Sequence, residues 1–475
     1  MKRRIIFSLL GLLVFCGSAF GQARPQENGL AGTWLGVLQF PGAELQLVFR
    51  IAKNPDGTWQ ALLDSPDQGA KDIPTSKVVV ENERLLIEVQ VVAGAFEGKI
   101  KADFSEISGQ WKQAGLDIPL VLKKTDRVQG PNRPQEPKKP YPYREEEVSY
   151  ENPTAAIKLA GTLTLPSGNG PFPVVLLITG SGQQDRDETV MGHKPFWVLA
   201  DYLTRRGIAV LRVDDRGVGG SGGDPALATS LDFSGDVLAG IAYLKSRQEI
   251  DPGRIGLIGH SEGGLIAPLA AVKNPKDVAF ILLMAGPGIV GEDILLLQGK
   301  LINKASNASD TAIALDNAQQ KRMFRILKEE KDAAAMEAKL RQAMKDTMAK
   351  MSVEEQKKLP PAIQEASLQM IMSPWFRFFL TYDPRPTLQK VTCPLLAING
   401  EKDLQVPAEE NLKAIAEALK AGGNDKFTVK QLSGLNHLFQ TAPTGSPSEY
   451  AKIEETIAPA ALRLIGDWIL ERTAK

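Results

Sequence analysis

The order of apolar and polar residues divides the chain into stretches with different periods. Between about residues 30 and 124 apolar and polar residues alternate, as over residues 45–51, and that period of two is typical of half-buried strands. From about residue 160 to 284, short apolar runs alternate with helical segments, and this order resumes after residue 395. The stretch 291–373 is almost entirely helical in period. The pattern predicts an all-β part and then an α/β part with a helical insertion.

The alternating part, residues 29–125, predicts a small antiparallel barrel or sandwich. Asn54-Pro55-Asp56-Gly57 is a hairpin-turn signal between two of its strands. Three tryptophans each follow a glycine by two residues: Trp34, Trp59 and Trp111. Because tryptophan is usually largely buried, we expect core anchors, while a ligand-binding platform is the alternative.

A proline-rich segment, residues 126–144, follows the alternating part. It holds five prolines with charged residues between them: Pro131, Pro134, Pro137, Pro140 and Pro142. We expect an extended, semi-rigid linker. The remaining chain, residues 145–475, is the second predicted domain, and its uninterrupted apolar strands require a sheet covered on both faces.

The first residues have the pattern of a secretory signal peptide, residues 1–21. Lys2-Arg3-Arg4 precedes an apolar run over residues 5–15, and Ala19-x-Gly21 is typical of a cleavage site. The run is too short to span a bilayer, so no membrane span is expected. Removal of this segment leaves Cys393 as the only cysteine, and a secreted chain without disulfides fits the bacterial periplasm.

Gly259-His260-Ser261-Glu262-Gly263 lies between an apolar strand and a small-residue helix. Such a turn holds a serine in a strained conformation at a helix N-terminus, and its flanking glycines remove Cβ atoms that would collide. Ser261 is therefore the candidate nucleophile. A second match to the pattern, around Ser221, has neither strand nor helix beside it, and we interpret it as a flexible loop.

A serine hydroxyl needs a base, and that base needs an acid to orient it. Of the three histidines, His437 follows the last predicted strand, where such a base belongs, whereas His260 should point away from Ser261 and His193 lies on a loop. The loop after the preceding strand offers Glu401 and Asp403, and we favour Asp403 because residues 404–407 can anchor it. Nucleophile, acid and base thus follow in the chain order Ser261, Asp403, His437, which is the order found where the serine stands on such a strand–turn–helix turn.

The oxyanion donors are expected at two places. One is the backbone N–H of Glu262, and the other belongs to Ser181 or Gly182 on the loop after the first parallel strand. Three acidic residues on that loop could suggest a metal site, but with an arginine among them and no histidine ligand we expect a hydrogen-bonded loop: Asp185, Asp187 and Glu188. The glycine pattern Gly217-x-Gly219-x-x-Gly222 opens no helix, so we discount a dinucleotide site.

These residues give the chain a resemblance to the α/β-hydrolase family over about residues 145–475. It rests on the Ser261 motif, on Asp214-x-Arg216-Gly217-x-Gly219-x-Ser221, on Gly400-x-x-Asp403-x-x-Val406-Pro407 and on His437. The chain looks most like secreted bacterial serine esterases and serine aminopeptidase-like hydrolases. The resemblance implies a mostly parallel sheet, a helical cap at about residues 287–385, acylation of Ser261, and deacylation by water activated at His437.

Composition narrows the function further. Lys and Arg together number 56, as do Asp and Glu, so a net charge of zero gives no general attraction to nucleic acid or anionic membranes. We expect an esterase without cofactor or metal, acting on a small-molecule ester. The first alternative is a peptidase or amidase that uses the same residues on a short peptide or amide. The second is an inert hydrolase domain carried by a glycan- or protein-binding β domain. The oligomeric state stays open.

Overall fold

The computed structural model describes residues 29–40, 43–66, 70–113, 116–126, 132–351, 356 and 361–474. The expected signal peptide, residues 1–21, lies outside this range. So does Ser352-x-x-Glu355, whose spacing predicts a capping box at the start of a helix. Within the described range, no helix is both long and apolar enough to cross a membrane.

The N-terminal part is one antiparallel sheet of nine strands in the order β4-β3-β2-β1-β9-β8-β7-β6-β5. Its strands are β1 Gly32–Phe40, β2 Ala43–Lys53, β3 Trp59–Ser65, β4 Ala70–Pro74, β5 Lys77–Glu81, β6 Arg84–Val89, β7 Gly94–Ile100, β8 Glu106–Gln113 and β9 Leu116–Lys124. The chain turns back at each hairpin, and β1 pairs with β9. The sheet thus curls into a half-barrel rather than a two-sheet sandwich.

A single apolar core fills the half-barrel. Trp34 and Trp111 are fully buried in it beside Phe49 and Phe96, and Phe49 lies 6.1 Å from Trp111 between ring centroids. Trp59 is only partly buried against the same core. The expectation that the tryptophans are core anchors is confirmed for Trp34 and Trp111, because buried rings present no platform to a ligand.

The proline-rich linker is docked rather than free. The Arg133 guanidinium donates to the backbone carbonyls of Gly192, Met191, Ala451 and Ile453 at 2.8 to 3.2 Å. The Gln135 side chain bonds the backbone of residues 456 and 457. These bonds fasten the described part of the linker, from residue 132, to the second domain.

The second domain has an eight-stranded sheet in the order β10-β11-β13-β12-β14-β15-β16-β17. Its strands are β10 Arg144–Asn152, β11 Ile157–Leu165, β12 Phe172–Ile178, β13 Ala209–Val213, β14 Ile250–His260, β15 Phe280–Met284, β16 Leu395–Gly400 and β17 Phe427–Leu432. Strand β11 is antiparallel to both of its neighbours, β10 and β13. All the other pairs, from β13 to β17 in the sheet order, are parallel. The carboxyl ends of β12, β14, β15, β16 and β17 therefore meet at one edge.

Helices cover both faces of this sheet. The α-helices of the described residues are α1 Pro195–Arg205, α2 Ser230–Lys245, α3 Gly263–Lys273, α4 Gly291–Ala305, α5 Asp310–Glu329, α6 Ala333–Met348, α7 Pro361–Met372, α8 Pro374–Thr381, α9 Arg385–Leu388, α10 Ala408–Ala421 and α11 Pro459–Thr473. One core joins the sheet to α2, α3 and α10, and another joins it to α1 and α11. The apolar strands β12, β14, β15 and β16 are buried accordingly. This is the α/β-hydrolase fold that the motifs predicted.

Helices α4 to α8 form the insertion between β15 and β16. They have a small core of their own, in which Met336 and Leu340 are buried with Phe324, Phe376 and Leu380. The methionine and leucine side chains on this face of α6 therefore serve packing. The insertion occupies the place in the chain where the resemblance put a cap.

Candidate active site

Ser261 lies in a sharp turn between the end of β14 and the start of α3. Its φ of 51° is in the left-handed region, which costs a non-glycine residue energy. A Cβ on Gly259 would lie 2.0 Å from the carbonyl oxygen of Gly263, and one on Gly263 would lie 2.1 Å from that of Ile178. The Ser261 N–H donates to the Met284 carbonyl at 2.8 Å. The expected elbow is present, and its glycines are sterically required.

Asp403 and His437 form a buried pair on the loops after β16 and β17. His437 Nδ1 donates to Asp403 Oδ2 at 2.8 Å. The other oxygen, Oδ1, accepts from the backbone N–H groups of Gln405 and Val406 at 2.8 and 2.9 Å. With Nδ1 as the donor, the neutral ring keeps its free lone pair on Nε2. The loop over residues 404–407 anchors the carboxylate as the sequence suggested.

Glu401, the other acid on that loop, lies elsewhere. Its carboxylate is exposed and accepts from the Ser433 hydroxyl at 2.7 Å and the Gly434 N–H at 2.8 Å. Those two hydrogen bonds lower the pKa of Glu401. The structure thus brings Asp403, and not Glu401, to the histidine.

The elbow and the His437 loop meet through His260. His260 Nε2 donates to the His437 carbonyl oxygen at 3.0 Å, and the two ring centroids are 4.9 Å apart. His260 is thus turned toward the neighbouring loop, as expected. Among the described residues, the Ser261 hydroxyl has no hydrogen-bond partner. In serine hydrolases without bound substrate, the hydrogen bond between the serine and the histidine base is often long or poorly aligned.

The loop after β12 lies against the nucleophile. A Cβ on Gly180 would be 3.2 Å from the Ser261 Cβ, and the Gly180 N–H already donates to Glu188 at 2.7 Å. Gly182 has a φ of 108°, a value that suits glycine alone. Ser181 and Gly182 both remain candidates for the second oxyanion donor, beside Glu262 at the N-terminus of α3.

The acidic residues of that loop hold it in shape. Asp185 accepts from the N–H groups of Asp187 and Thr189 and from the Thr189 hydroxyl. Asp187 pairs with Arg212, and Glu188 pairs with His260. The hydrogen-bonded turn expected here is observed. Across the described chain, no three His, Cys, Asp or Glu side chains cluster in a way that would hold a metal ion.

His193 is a buried structural residue. Its ring lies 2.9 Å from the Thr456 hydroxyl through Nδ1 and 2.9 Å from the Tyr450 carbonyl through Nε2. Burial lowers the pKa of His193 to about 4, so the ring is neutral at pH 7. The sequence placed His193 on a loop, and the loop folds it inward.

The segment around Ser221 is more ordered than expected. Ser221 is buried, donates to the Asp214 carbonyl at 2.7 Å and accepts from the Ala160 N–H at 2.9 Å. The expectation of a flexible loop was wrong, because one bond fixes the turn to β11 and the other fixes it to the residue after β13. The next helix, α2, begins only at Ser230. No helix therefore starts at the end of the glycine pattern, where a dinucleotide site would need one.

The side chain of Glu262 connects the elbow to the insertion. Its Oε1 accepts from the Ser230 hydroxyl at 2.6 Å and from Trp375 Nε1 at 2.8 Å. Burial raises the pKa of Glu262, against the effect of these two hydrogen bonds. Trp375 also stacks on Phe379, with ring centroids 5.8 Å apart. The aromatic cluster of α8 therefore fastens the insertion to the residue after the nucleophile.

Sequence reasoning missed two of these contacts. Glu188 and His260 are 72 residues apart, and Glu262 and Trp375 are 113 apart. Glu188 and Glu262 are noticeable in the sequence as charged residues in apolar or glycine-rich surroundings. No spacing in the sequence indicates that their partners are His260 and Trp375. Only the sheet order brings them together.

Comparison with known protein families identifies the second domain. A family model described as X-Pro dipeptidyl-peptidase, the S15 peptidase family, matches residues 156–433. The chain belongs to this family. The matched range includes Ser261 and Asp403 and ends four residues before His437.

Two relatives illustrate the range of activities among similar proteins. Esterase EstD of Thermotoga maritima is 26% identical over 298 residues, which cover 62% of this chain and 61% of EstD. The match thus spans less than two thirds of that relative. A 2-hydroxy-6-oxononadienedioate/2-hydroxy-6-oxononatrienedioate hydrolase of Cupriavidus pinatubonensis is 28% identical over 276 residues, 55% of this chain and 86% of that enzyme.

Solved structures similar to this one include other α/β hydrolases. GrgF from a Penicillium species is 18% identical with a TM-score of 0.44, over 70% of this chain and 100% of GrgF. An esterase of Pyrococcus furiosus has the same identity and TM-score, over 73% of this chain and 99% of the esterase.

Proposed function

We propose that the protein is a serine hydrolase that cleaves carboxylic esters through an acyl-enzyme on Ser261. The observation that carries the proposal is the buried Asp403–His437 pair, with Nδ1 and Oδ2 2.8 Å apart, on loops at the edge where Ser261 stands in its strained turn. Nucleophile, acid and base follow the ends of three strands, β14, β16 and β17, in the chain order that such a triad has on this fold.

In the proposed reaction, His437 Nε2 takes the proton of the Ser261 hydroxyl as the oxygen attacks the ester carbonyl carbon. Asp403 holds the ring in the tautomer with Nδ1 protonated and balances the charge of the imidazolium that forms. His437 then returns the proton to the departing alkoxide. In the second half, a water molecule gives a proton to His437 and attacks the acyl carbon. His437 then passes that proton to the departing Ser261 oxygen, which releases the acid and restores Ser261.

The oxyanion is the second element of the proposed mechanism. The Glu262 N–H at the N-terminus of α3, together with an N–H of Ser181 or Gly182, supplies donors where negative charge develops. The Ser261 turn lies beside both segments, since Glu262 follows it directly and a Cβ on Gly180 would be 3.2 Å from the Ser261 Cβ. We also propose that the insertion, which contacts Glu262 through Trp375, forms one wall of the acyl-binding pocket.

The second candidate function is cleavage of peptides or amides with the same residues. The match to a family described as X-Pro dipeptidyl-peptidase favours it, whereas the similarity to Esterase EstD favours ester cleavage. An exopeptidase also needs a carboxylate for the substrate amine. Glu262 or a carboxylate of the helical insertion could serve, but Oε1 of Glu262 already accepts two hydrogen bonds, and we favour the ester.

The test is a panel of p-nitrophenyl esters of increasing acyl length, run beside aminoacyl and X-Pro p-nitroanilides. We expect turnover of esters, little turnover of anilides, and loss of about a thousandfold or more in kcat for Ser261→Ala. Ser221→Ala is the matched control and keeps the activity. Full ester hydrolysis by Ser261→Ala would overturn the proposal, and faster turnover of anilides would favour the peptidase.

We also propose that the protein is exported to the bacterial periplasm. The leader pattern of residues 1–21 supports this. Amino-terminal sequencing of the mature protein from a periplasmic extract should begin after Gly21. An intact Met1 in the cytoplasmic fraction would contradict it.

A further inference from the structure

A buried pair of ionisable groups lies directly behind the elbow and has no part in the steps above. Glu188 Oε1 accepts from His260 Nδ1 at 2.9 Å. The two residues are only 3% and 5% exposed. Burying such a pair is costly unless both groups are well hydrogen-bonded, so the pair needs a reason to be where it is.

The partners of His260 determine its protonation. Nδ1 faces a carboxylate oxygen, and Nε2 faces the His437 carbonyl oxygen at 3.0 Å. A carbonyl oxygen only accepts, and a carboxylate that already accepts from the Gly180 N–H is an acceptor as well. Both ring nitrogens must therefore donate, which only the imidazolium does. Burial on its own lowers the pKa of His260, but the Glu188 carboxylate reverses this and the pKa is raised.

The same pair joins three segments that are far apart in the chain. Glu188 holds the Gly180 N–H at 2.7 Å, at the start of the loop that carries Ser181 and Gly182. His260 precedes Ser261 on the elbow. Its other nitrogen holds the backbone of His437. One hydrogen-bonded chain thus runs from the oxyanion loop through the elbow to the base.

We propose that the His260 imidazolium, held by Glu188, is a positioning residue that clamps the oxyanion loop and the His437 loop onto the Ser261 elbow. This rests on the proposed function of Ser261 and His437. The clamp acts on backbone atoms, so it fixes where the base and the oxyanion donors stand without touching substrate. Geometry of this kind governs kcat more than substrate binding.

Two other carboxylates act on this pair. Asp403 bonds His437 and also favours the charged form of His260. Asp215 lies on the loop that follows β13, near Glu188. Its carboxylate accepts hydrogen bonds from the Thr179 hydroxyl and the Gln184 N–H. Burial raises the pKa of Asp215 well above its usual value, against those hydrogen bonds. Asp215 is therefore protonated more readily than an ordinary aspartate.

The first test reads the charge of His260 in the wild-type protein. With ¹⁵N-labelled histidine, NMR at pH 8 should show one imidazole with protons on both ring nitrogens. Its assignment follows from its absence in His260→Gln, and it should lose one proton in Glu188→Gln. The absence at pH 8 of any histidine with protons on both ring nitrogens would overturn the proposal, and that result needs neither activity nor a folded variant.

The second test separates positioning from packing. Glu188→Gln and His260→Gln should each lower kcat by about tenfold to a hundredfold with KM changed less than about threefold. The kcat of the double variant should be no lower than that of the less active single variant, since each residue acts through the other. Glu401→Gln, a surface carboxylate on the loop beside His437, is the control and keeps kcat.

Kinetic outcomes for these variants distinguish the two proposals. Unchanged kcat in both single variants, with Ser261→Ala inactive, would overturn the clamp and leave the proposed function standing. Full activity of Ser261→Ala would overturn the proposed function whatever the charge of His260. Additive losses in the double variant would show that the two residues act separately, which also contradicts the clamp.

Discussion

At the scale of single residues, two carboxylates on one loop have opposite surroundings. Asp403 is buried against His437, and Glu401 is exposed. We predict that Asp403→Asn lowers kcat by about a thousandfold, because an amide no longer favours the His437 tautomer with Nδ1 protonated. Glu401→Gln should stay within about twofold of wild type, since an exposed carboxylate contributes little. Steady-state ester hydrolysis measures both, and equal losses would contradict the assignment.

His193 gives a prediction on acid stability. Its pKa is lowered to about 4 in the folded protein by burial, against about 6.5 in the unfolded chain. The unfolded state therefore binds the proton first. The contribution of His193 is complete above about pH 6.5 and falls by up to about 3 kcal/mol as the pH drops toward 4.

The measurement for His193 is the urea midpoint of wild type and His193→Gln between pH 7.5 and 4.5. We expect the advantage of the wild type to shrink steadily as the pH falls, because glutamine does not titrate. Trp197→Phe, a conservative change on α1, should keep a constant offset. An advantage that does not vary with pH would show that His193 is not buried in its neutral form.

Residue types at strand ends were the part of the site that could be predicted. Ser261, Asp403 and His437 each follow an apolar run, and parallel strands bring their carboxyl ends to one edge. Glu188 and Trp375 were not predicted as partners of His260 and Glu262. Those contacts depend on how a loop and a helix fold back over that edge, for which the sequence holds no local pattern.

At the scale of elements, α8 is fastened to the elbow by one hydrogen bond. We predict that Trp375→Phe, which keeps the ring stacking but removes the donor to Glu262, lowers ester kcat/KM by about threefold to tenfold. It should also speed amide exchange in α8, since a buried acceptor has lost a partner. Hydrogen exchange followed by mass spectrometry measures this, with Trp197→Phe as the control. Unchanged exchange in α8 would contradict the role of this bond.

The period of apolar residues predicted which segments are strands, but it did not predict how the nine-stranded sheet closes. Alternation over residues 45–51 predicts a half-buried strand, and β2 is one. Alternation cannot tell whether nine strands close into a barrel or split into two sheets, because both architectures bury alternate side chains. The observed half-barrel depends on the pairing of β1 with β9, which is remote in sequence.

At the scale of the whole molecule, the linker is part of the hydrolase domain surface. Arg133 bonds carbonyls of both the His193 loop and the segment before α11. Arg133→Ala should make the linker easier to cleave with a protease, by about tenfold in rate, with little change in kcat. Lys138→Ala, at an exposed position nearby, is the control. Equal cleavage rates in the two variants would contradict a docked linker.

The central claim is that Ser261 is the acylated nucleophile, and covalent labelling tests it most directly. Wild-type protein should gain the mass of one phosphonyl group from a fluorophosphonate probe, and peptide mapping should place it on Ser261. Ser261→Ala should gain none, while Ser221→Ala should label like the wild type. A label on another residue, or none on a protein that hydrolyses esters, would contradict the account.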